Sequence, residues 1–218
     1  MFQREWFVVG KEITFALSMH KMEDVCFGET HTKPHIYKQE KNMRIITGLY
    51  KGRRFEVPRT FKARPTTDFA KENIFNVLNA YIDFEDCRAL DLFSGTGSIT
   101  LELLSRGCRQ VTSIEADRDH HRFITQCVHA LGTDKCLPIR TDVFRFIKNC
   151  KEPYDFIFAD PPYALKELAL LPTQILDKQL LAPDGIFVLE HGKDHDFATH
   201  PRFIEHRSYG SVNFSIFR

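Results

Sequence analysis

From residue 89 onward the sequence predicts a Rossmann-like α/β fold: a doubly wound, mostly parallel sheet of seven strands closing in an antiparallel hairpin. Three observations predict it. Short apolar runs alternate with helix-period segments through most of the chain. Two of those runs stop at loops dense in Gly, Pro and Asp, at 93–97 and 160–163. The last two runs flank Gly210-Ser211, a two-residue turn that suits a hairpin.

The elements follow in chain order. Residues 1–42 carry six basic against six acidic side chains and no sustained period, so a poorly ordered extension outside the functional core is expected. Met43 opens the first clear pattern, and translation is expected to start there. Residues 44–48 and 54–58 are strand-like runs around Gly52, which predicts a β-hairpin and sets 43–66 apart as a small element. A main domain over 67–218 is expected after it. Asp68 suits a helix start, and a helix to 82 would bury Phe69, Phe75, Val77, Leu78, Tyr81 and Ile82. Strands are predicted at 89–93, 110–114, 138–140, 156–159 and 185–189, and helices at 97–105, 118–131, 143–149 and 165–178. Strands 203–209 and 212–217 close the chain. Phe123, Ile124 and Val128 fall at helical spacing and read as core.

Composition bounds the function. With 218 residues, 43% hydrophobic and 27% charged, the chain has material for one domain and a small appendage. Lys+Arg is 30 and Asp+Glu is 29, so any basic footprint must be local. One exists: between 43 and 68, Arg44, Lys51, Arg53, Arg54, Arg59, Lys62 and Arg64 face only Glu56 and Asp68, a local charge of +5. Such a hairpin suits a phosphate backbone, although Lys and Arg also protect exposed strand edges. None of the six cysteines lies in a C-x-x-C pair or beside His at finger spacing, so no zinc site is expected. The thiols read as reduced, in a cytoplasmic protein. No run of 18 apolar residues occurs, so no membrane partner is expected.

The first chemical motif is Asp91-Leu92-Phe93-Ser94-Gly95-Thr96-Gly97, which ends a strand and opens a helix. Glycines there let a backbone approach a ligand, and the helix start offers N–H groups without intrahelical partners. Glu115, twenty residues after Gly95, ends the next strand and suits a ribose diol, whose two hydroxyls it can accept. A nicotinamide dinucleotide asks for G-x-G-x-x-G, but Thr100 stands at the third glycine position. Asp91 would sit badly beside a pyrophosphate. It suits an amino group and a sulfonium charge, as in S-adenosylmethionine. A purely structural strand-to-helix turn is the plain alternative.

The second motif is Asp160-Pro161-Pro162-Tyr163 at the end of an apolar strand. In a doubly wound sheet the carboxyl ends of the first and fourth strands meet at the switch crevice, which brings Asp160 toward Gly95 and Gly97. An exocyclic base amine is a poor nucleophile because its lone pair is delocalised into the ring. Asp160 and the Pro161 carbonyl can each accept one of its N–H bonds, and Pro162 keeps that backbone extended. Tyr163 can stack on a base held out of its helix or loop. Positioning would supply most of the rate, and no metal is required. A turn cap is the plain alternative for Asp160.

On these residues the chain from Met43 onward resembles a known family, the RsmD-type bacterial 16S ribosomal RNA guanine-N2 methyltransferases. Met43-Arg44-Ile45-Ile46-Thr47-Gly48 with Lys51-Gly52-Arg53 and Pro58 carries part of the likeness. Arg64-Pro65-Thr66-Thr67-Asp68 with Glu72, Phe75, Asn76 and Leu78 carries more, as do the two motifs above and Leu104-Ser105-Arg106-Gly107. The resemblance implies a class I methyltransferase fold and S-adenosylmethionine as cofactor. It implies one guanine of 16S RNA, naked or in the small ribosomal subunit, as target. It further implies that Asp142 and Val143 meet the adenine, that Thr66 and Thr67 approach the methionine part, and that Phe93, Ser94 and Thr96 line the cofactor loop. Arg44, Lys51, Arg53, Arg54 and Arg64 would grip RNA. A monomer is expected.

The chain departs from the family in places. Lys71 and Asn73 replace the usual Arg and Ala and read as surface positions. Ser98-Ile99-Thr100 replaces a more Ala/Gly-rich helix start, and residues 1–42 have no counterpart. His120, His121, His129, His191 and His195 read as solvated. Two other functions fit less well. A DNA adenine-N6 methyltransferase usually needs a target-recognition domain, for which no segment is evident. A non-catalytic RNA-binding or ribosome-assembly protein has no need of Asp91, Glu115 and Asp160 together. A carbon methyltransferase would need a cysteine nucleophile, and none falls in 160–163.

Overall fold

The computed structural model describes residues 42–61 and 67–218. Residues 1–41 of the expected extension, and Arg64 and Thr66 among the expected site residues, lie outside them. The hairpin is made of β1 (Asn42–Arg44) and β2 (Arg54–Glu56), antiparallel, with Met43 opposite Phe55. Its first strand is shorter than the 44–48 the sequence predicts, for a specific reason. After Ile45, whose N–H still donates to the Arg53 carbonyl at 3.0 Å, the chain turns its N–H groups to a side chain: Ile46 and Thr47 donate to the two oxygens of Glu102, at 2.8 and 3.1 Å.

Helix α1 (Asp68–Leu78) is capped by Thr67, whose hydroxyl accepts from the Ala70 N–H. It stops at Leu78 rather than 82, and tight turns at Ala80 and Tyr81 follow. Its buried face is Ala70, Lys71, Ile74, Phe75 and Leu78. Phe69, expected to be buried, is 66% exposed, because at 100° per residue it falls off the stripe that Ile74 and Phe75 define.

The main sheet alternates as the sequence predicts: β3 (Arg88–Leu92), α2 (Ser98–Ser105), β4 (Gln110–Glu115), α3 (Arg118–Leu131), β5 (Cys136–Arg140), α4 (Val143–Asn149) and β6 (Tyr154–Ala159). The predicted helix 165–178 is broken. A 3₁₀ turn at Leu168–Leu170 precedes α5 (Leu171–Asp177). Pro172 lacks an N–H and its ring crowds the carbonyl four residues back, so it can only open the new helix. Strand β7 (Leu181–His191) runs longer than the predicted 185–189, and β8 (Phe203–Tyr209) and β9 (Val212–Phe217) form the closing hairpin.

Strand order is β5-β4-β3-β6-β7-β9-β8, with β3, β4, β5, β6 and β7 parallel and β9 and β8 antiparallel. The chain runs outward from β3 to β5 and then returns to β6 on the other side of β3. A crevice therefore opens at the carboxyl ends of β3 and β6. Side chains alternate between two cores. Ala89, Val111, Phe156, Phe158, Val188 and Phe214 pack under α1, α2 and α3. Leu90, Leu92, Ile114, Ile157, Phe187 and Leu189 pack with α4 and α5.

The hairpin is fastened through α2. Glu102 is fully buried, and besides the two hairpin N–H groups it receives Arg106 at 3.1 Å, with Lys71 at 3.9 Å. Lys71 is 1% exposed, not a surface residue, and its ammonium donates to the Arg44 carbonyl (2.7 Å) and the Ser98 hydroxyl (3.0 Å). Burial lowers its pKa, and Glu102 opposes that shift. Arg106 also lies 4.2 Å over the Phe75 ring. Glu102→Ala strands two cations and the Ile46 N–H in the interior. It is expected to cost about 3–5 kcal/mol, read by urea unfolding.

Candidate active site

The loop after β3 is held in a costly shape. Phe93 has φ +60°, a left-handed conformation that costs a non-glycine residue about 1–3 kcal/mol. Hydrogen bonds to neighbouring strands fix it. The Ser94 N–H donates to the Ile114 carbonyl (3.0 Å), its hydroxyl to the Asp91 carbonyl (2.8 Å), and Ser113 donates to the Ser94 hydroxyl (2.8 Å). The two glycines have different work. A Cβ on Gly97 would stand 2.9 Å from Ile124 of α3, so Gly97 is required by packing as well as by its φ of +77°. A Cβ on Gly95 would meet only the Phe93 carbonyl, at 3.8 Å, which leaves its face open to a ligand. Thr96 is buried between them.

Acidic groups stand at the ends of the strands around this loop. Glu115 accepts the Gly95 N–H on one oxygen and the Asp117 N–H on the other, both at 2.8 Å. On the next strand over, Asp142 caps α4 by accepting the Arg145 N–H at 2.9 Å. Val143 behind it is buried, and the Phe93 and Phe144 rings meet edge-on at 6.4 Å. These groups fit S-adenosylmethionine: an open face at the Gly95 Cα, a half-buried carboxylate hydrogen-bonded to the same residue, and an aromatic pair beside a helix start. Glu115→Ala is expected to weaken cofactor binding by roughly 1–3 kcal/mol, measured by calorimetry.

Three carboxylates line one face of the sheet. Asp91, Asp160 and Glu190 continue the alternation of Ala89, Phe158 and Val188 at the ends of β3, β6 and β7. Asp91 is 1% exposed. Burial raises its pKa to about 7 even though Thr100 and Ser94 hydrogen-bond it. The Thr100 hydroxyl donates to its carboxylate at 2.5 Å, which gives a role to one residue of the unusual helix start. Asp160 is half-buried, and its N–H donates to the Leu92 carbonyl at 3.3 Å, which ties the Asp-Pro-Pro-Tyr turn to β3. Burial first, then Glu190 and Asp91, push its carboxyl well above the usual range. Pro161 is buried and Pro162 exposed, and the Pro162 carbonyl is taken by the Leu165 N–H at 2.8 Å. Tyr163 is 47% exposed, and its hydroxyl donates to Glu190 at 3.3 Å.

Glu190 is the site residue that sequence reading missed. The signal was present: an acidic residue directly follows the apolar run 186–189, level with Asp160. His191 beside it was read as solvated and is not. It is 1% exposed inside β7, its ring nitrogens near Ser215 Oγ (2.9 Å) and the Gly192 carbonyl (2.8 Å), and burial lowers its pKa. His120 packs on Phe61 at 4.2 Å, while His129 is exposed.

Of the expected RNA-contacting residues, Lys51 and Arg54 are exposed. Arg44 pairs with Asp68 at 2.9 Å, and Arg53 donates to the Ala130 carbonyl at 2.8 Å, so both also brace the hairpin. Among the described residues no helix is long and apolar enough to cross a membrane, and no three His, Cys, Asp or Glu side chains group to hold a metal. Burial raises the thiol of Cys87 to about 11 and those of Cys108, Cys127 and Cys136 to about 12, which keeps them protonated. Two surface concavities, one beneath the hairpin turn at Gly48 and Leu49 and one between α4 and α5, contain none of the crevice residues Asp91, Gly95, Glu115 or Asp160.

Comparison with known proteins follows the same outline. Residues 43–218 match the family model described as Conserved hypothetical protein 95. A Haemophilus influenzae relative named Ribosomal RNA small subunit methyltransferase D is 30% identical over 185 residues, spanning 81% of this chain and 93% of that one. The chain belongs to this RsmD-type methyltransferase family. A solved structure of a hypothetical protein from Thermus thermophilus covers 80% of the chain and 98% of its own, at 29% identity and a TM-score of 0.71. The T. thermophilus 16S rRNA N2 G1207 methyltransferase, solved with AdoMet and guanosine, shares the fold at 17% identity and a TM-score of 0.62, over 81% of this chain and 49% of its own. The expected class I methyltransferase fold, with its seven-stranded sheet and two hairpins, is the one observed.

Proposed function

We propose that this protein transfers a methyl group from S-adenosylmethionine to the N2 amine of a guanine in 16S ribosomal RNA. The reading rests on one observation above the rest: Asp160 is tied to the end of β3, where the loop that carries Gly95 begins, and stands beside the acidic end of β7. When bound, S-adenosylmethionine supplies an electrophilic methyl on a sulfonium, which departs as a neutral thioether when the amine nitrogen takes the methyl.

The chain's own residues do the rest. Glu115 holds the ribose hydroxyls, Asp142 the adenine amine, and Asp91 the cationic methionine end, with Thr67 near it. Asp160 accepts one N–H of the guanine amine. Because the Pro162 carbonyl is already engaged, the Pro161 carbonyl is the second acceptor. Together they orient the lone pair and stabilise the positive charge that grows on nitrogen as it attacks. Asp160 is then placed to take the proton that nitrogen loses. Tyr163, half exposed at the mouth, stacks on the flipped base. Lys51 and Arg54 meet the RNA backbone, with Arg44 and Arg53 setting the hairpin's angle. The protein works as a cytoplasmic monomer without a metal.

The test is transfer of labelled methyl from S-adenosylmethionine to small ribosomal subunits, 16S RNA and duplex DNA, with the RNA taken from cells lacking the gene. N2-methylguanosine from RNA or subunits is the expected product. N6-methyladenine from DNA, or no transfer at all, would overturn the proposal.

A further inference from the structure

We infer that Glu190 is the residue that selects guanine, by accepting the N1–H next to the N2 amine that Asp160 holds. The inference deepens the reading above and rests on it.

Placement comes first. Leu189 pairs with Ala159 across β7 and β6, so the next residues along, Glu190 and Asp160, stand side by side. Both continue the face of the sheet that carries Phe158 and Val188. The two carboxylates therefore address one small region of the crevice, close enough that Glu190 is the foremost charge acting on Asp160. Glu190 is fixed there. It is 4% exposed, and Tyr163, whose ring is the expected stacking surface, donates its hydroxyl to Oε1 at 3.3 Å. A Cβ on Gly192 would come within 3.5 Å of that ring, so the loop after β7 seats the tyrosine against this strand.

Chemistry then decides what such a pair reads. With both ionised, two adjacent carboxylates offer acceptors only. Guanine presents N1–H and the N2 amine side by side, an unbroken row of donors. Adenine and cytosine each place a ring-nitrogen lone pair beside the amine, and that lone pair would face a carboxylate with no proton between them. One acidic residue would hold any base amine. The second, one strand over, rejects bases whose neighbouring nitrogen has no hydrogen.

The test compares two 16S RNAs, one with guanine and one with 2-aminopurine at the target nucleotide. The analogue keeps the N2 amine but has a lone pair at N1. The wild-type protein is expected to methylate the guanine RNA at least about 100-fold more efficiently in kcat/KM. Glu190→Gln, which can accept from N1–H or donate to N1, should bring that ratio within several-fold. The analogue also lacks O6, but in both arms equally, so the change in ratio reads N1. If Glu190 only positions Tyr163, the variant would slow both RNAs alike and keep the ratio, which would overturn the assignment. Equal wild-type rates on both RNAs would overturn it without any variant. If the wild type methylates neither RNA, the methyltransfer proposal itself fails and takes this inference with it.

Discussion

Asp160→Ala is expected to lower the rate of methyl transfer by at least about 10³-fold while cofactor affinity stays within a few-fold. The two effects separate because in the proposed mechanism the carboxylate acts on the amine and not on the cofactor. It accepts one N–H, and its charge grows in value as positive charge develops on nitrogen. Removing a single oriented group of this kind costs about 10²–10³ on its own. Loss of orientation adds to that, since a neutral, delocalised amine attacks only when its lone pair is aimed. The neighbouring fold should survive. The Asp160 N–H bond to Leu92 is made by the backbone and is unaffected by the side chain. Removing one of several crowded acidic groups also relieves the burial cost and, after it, the repulsion from Glu190 and Asp91 that raise the Asp160 carboxyl. Single-turnover rates with saturating cofactor, beside calorimetry of cofactor binding, measure both halves. A variant with wild-type rates would place the amine acceptor elsewhere.

Asp91→Asn should make the cofactor-free protein more stable and a much poorer binder. The carboxyl is deeply buried and its pKa is raised to about 7 from an ordinary 3.8. Between about pH 4 and 7 the folded chain keeps a proton that the unfolded chain has released. Stability therefore falls as pH rises through that window, and the full penalty stands above pH 7. Asn carries no charge to bury and can still accept from Thr100. At pH 8 the variant is expected to gain on the order of 2–4 kcal/mol, read from urea midpoints. Binding moves the other way. Loss of a charge-assisted contact to a cationic ligand should cost about 10- to 150-fold in affinity. In the wild type a cation favours the ionised carboxyl, so affinity should weaken as pH drops below about 7. In the variant that dependence should be absent. Unchanged affinity in Asp91→Asn would remove Asp91 from the cofactor site.

Much of this architecture was legible because it is written locally. Helices α3 and α4 begin and end where the sequence predicts, because Asp117 and Asp142 cap them and the apolar stripe between is continuous. The order of the two motifs located the crevice, since topology forces the ends of β3 and β6 together. What escaped was polar chemistry inside apolar elements. Lys71 read as a surface lysine because its stabilising partners, Ser98 and Glu102, lie on another helix. The early end of β1 depended on a carboxylate 56 residues away. His191 follows an apolar strand into what looked like a polar loop, yet β9 covers it. Phe69 and the Pro172 break were different: helical angle and proline geometry were enough to foresee both.

Helix α2 meets the cofactor loop at Ser98 and holds the hairpin from Glu102 to Ser105, whose backbone and hydroxyl oxygens receive the Leu49 and Tyr50 N–H groups. Eight residues of helix span about 12 Å. The separation between the loop at Gly95 and the hairpin proposed to meet RNA is thus set by one short rigid rod, which holds the hairpin mostly by its main-chain N–H groups. On the proposed reading, the hairpin's outward side chains can change in sequence without moving the hairpin, while the rod preserves the distance at which a base would be presented.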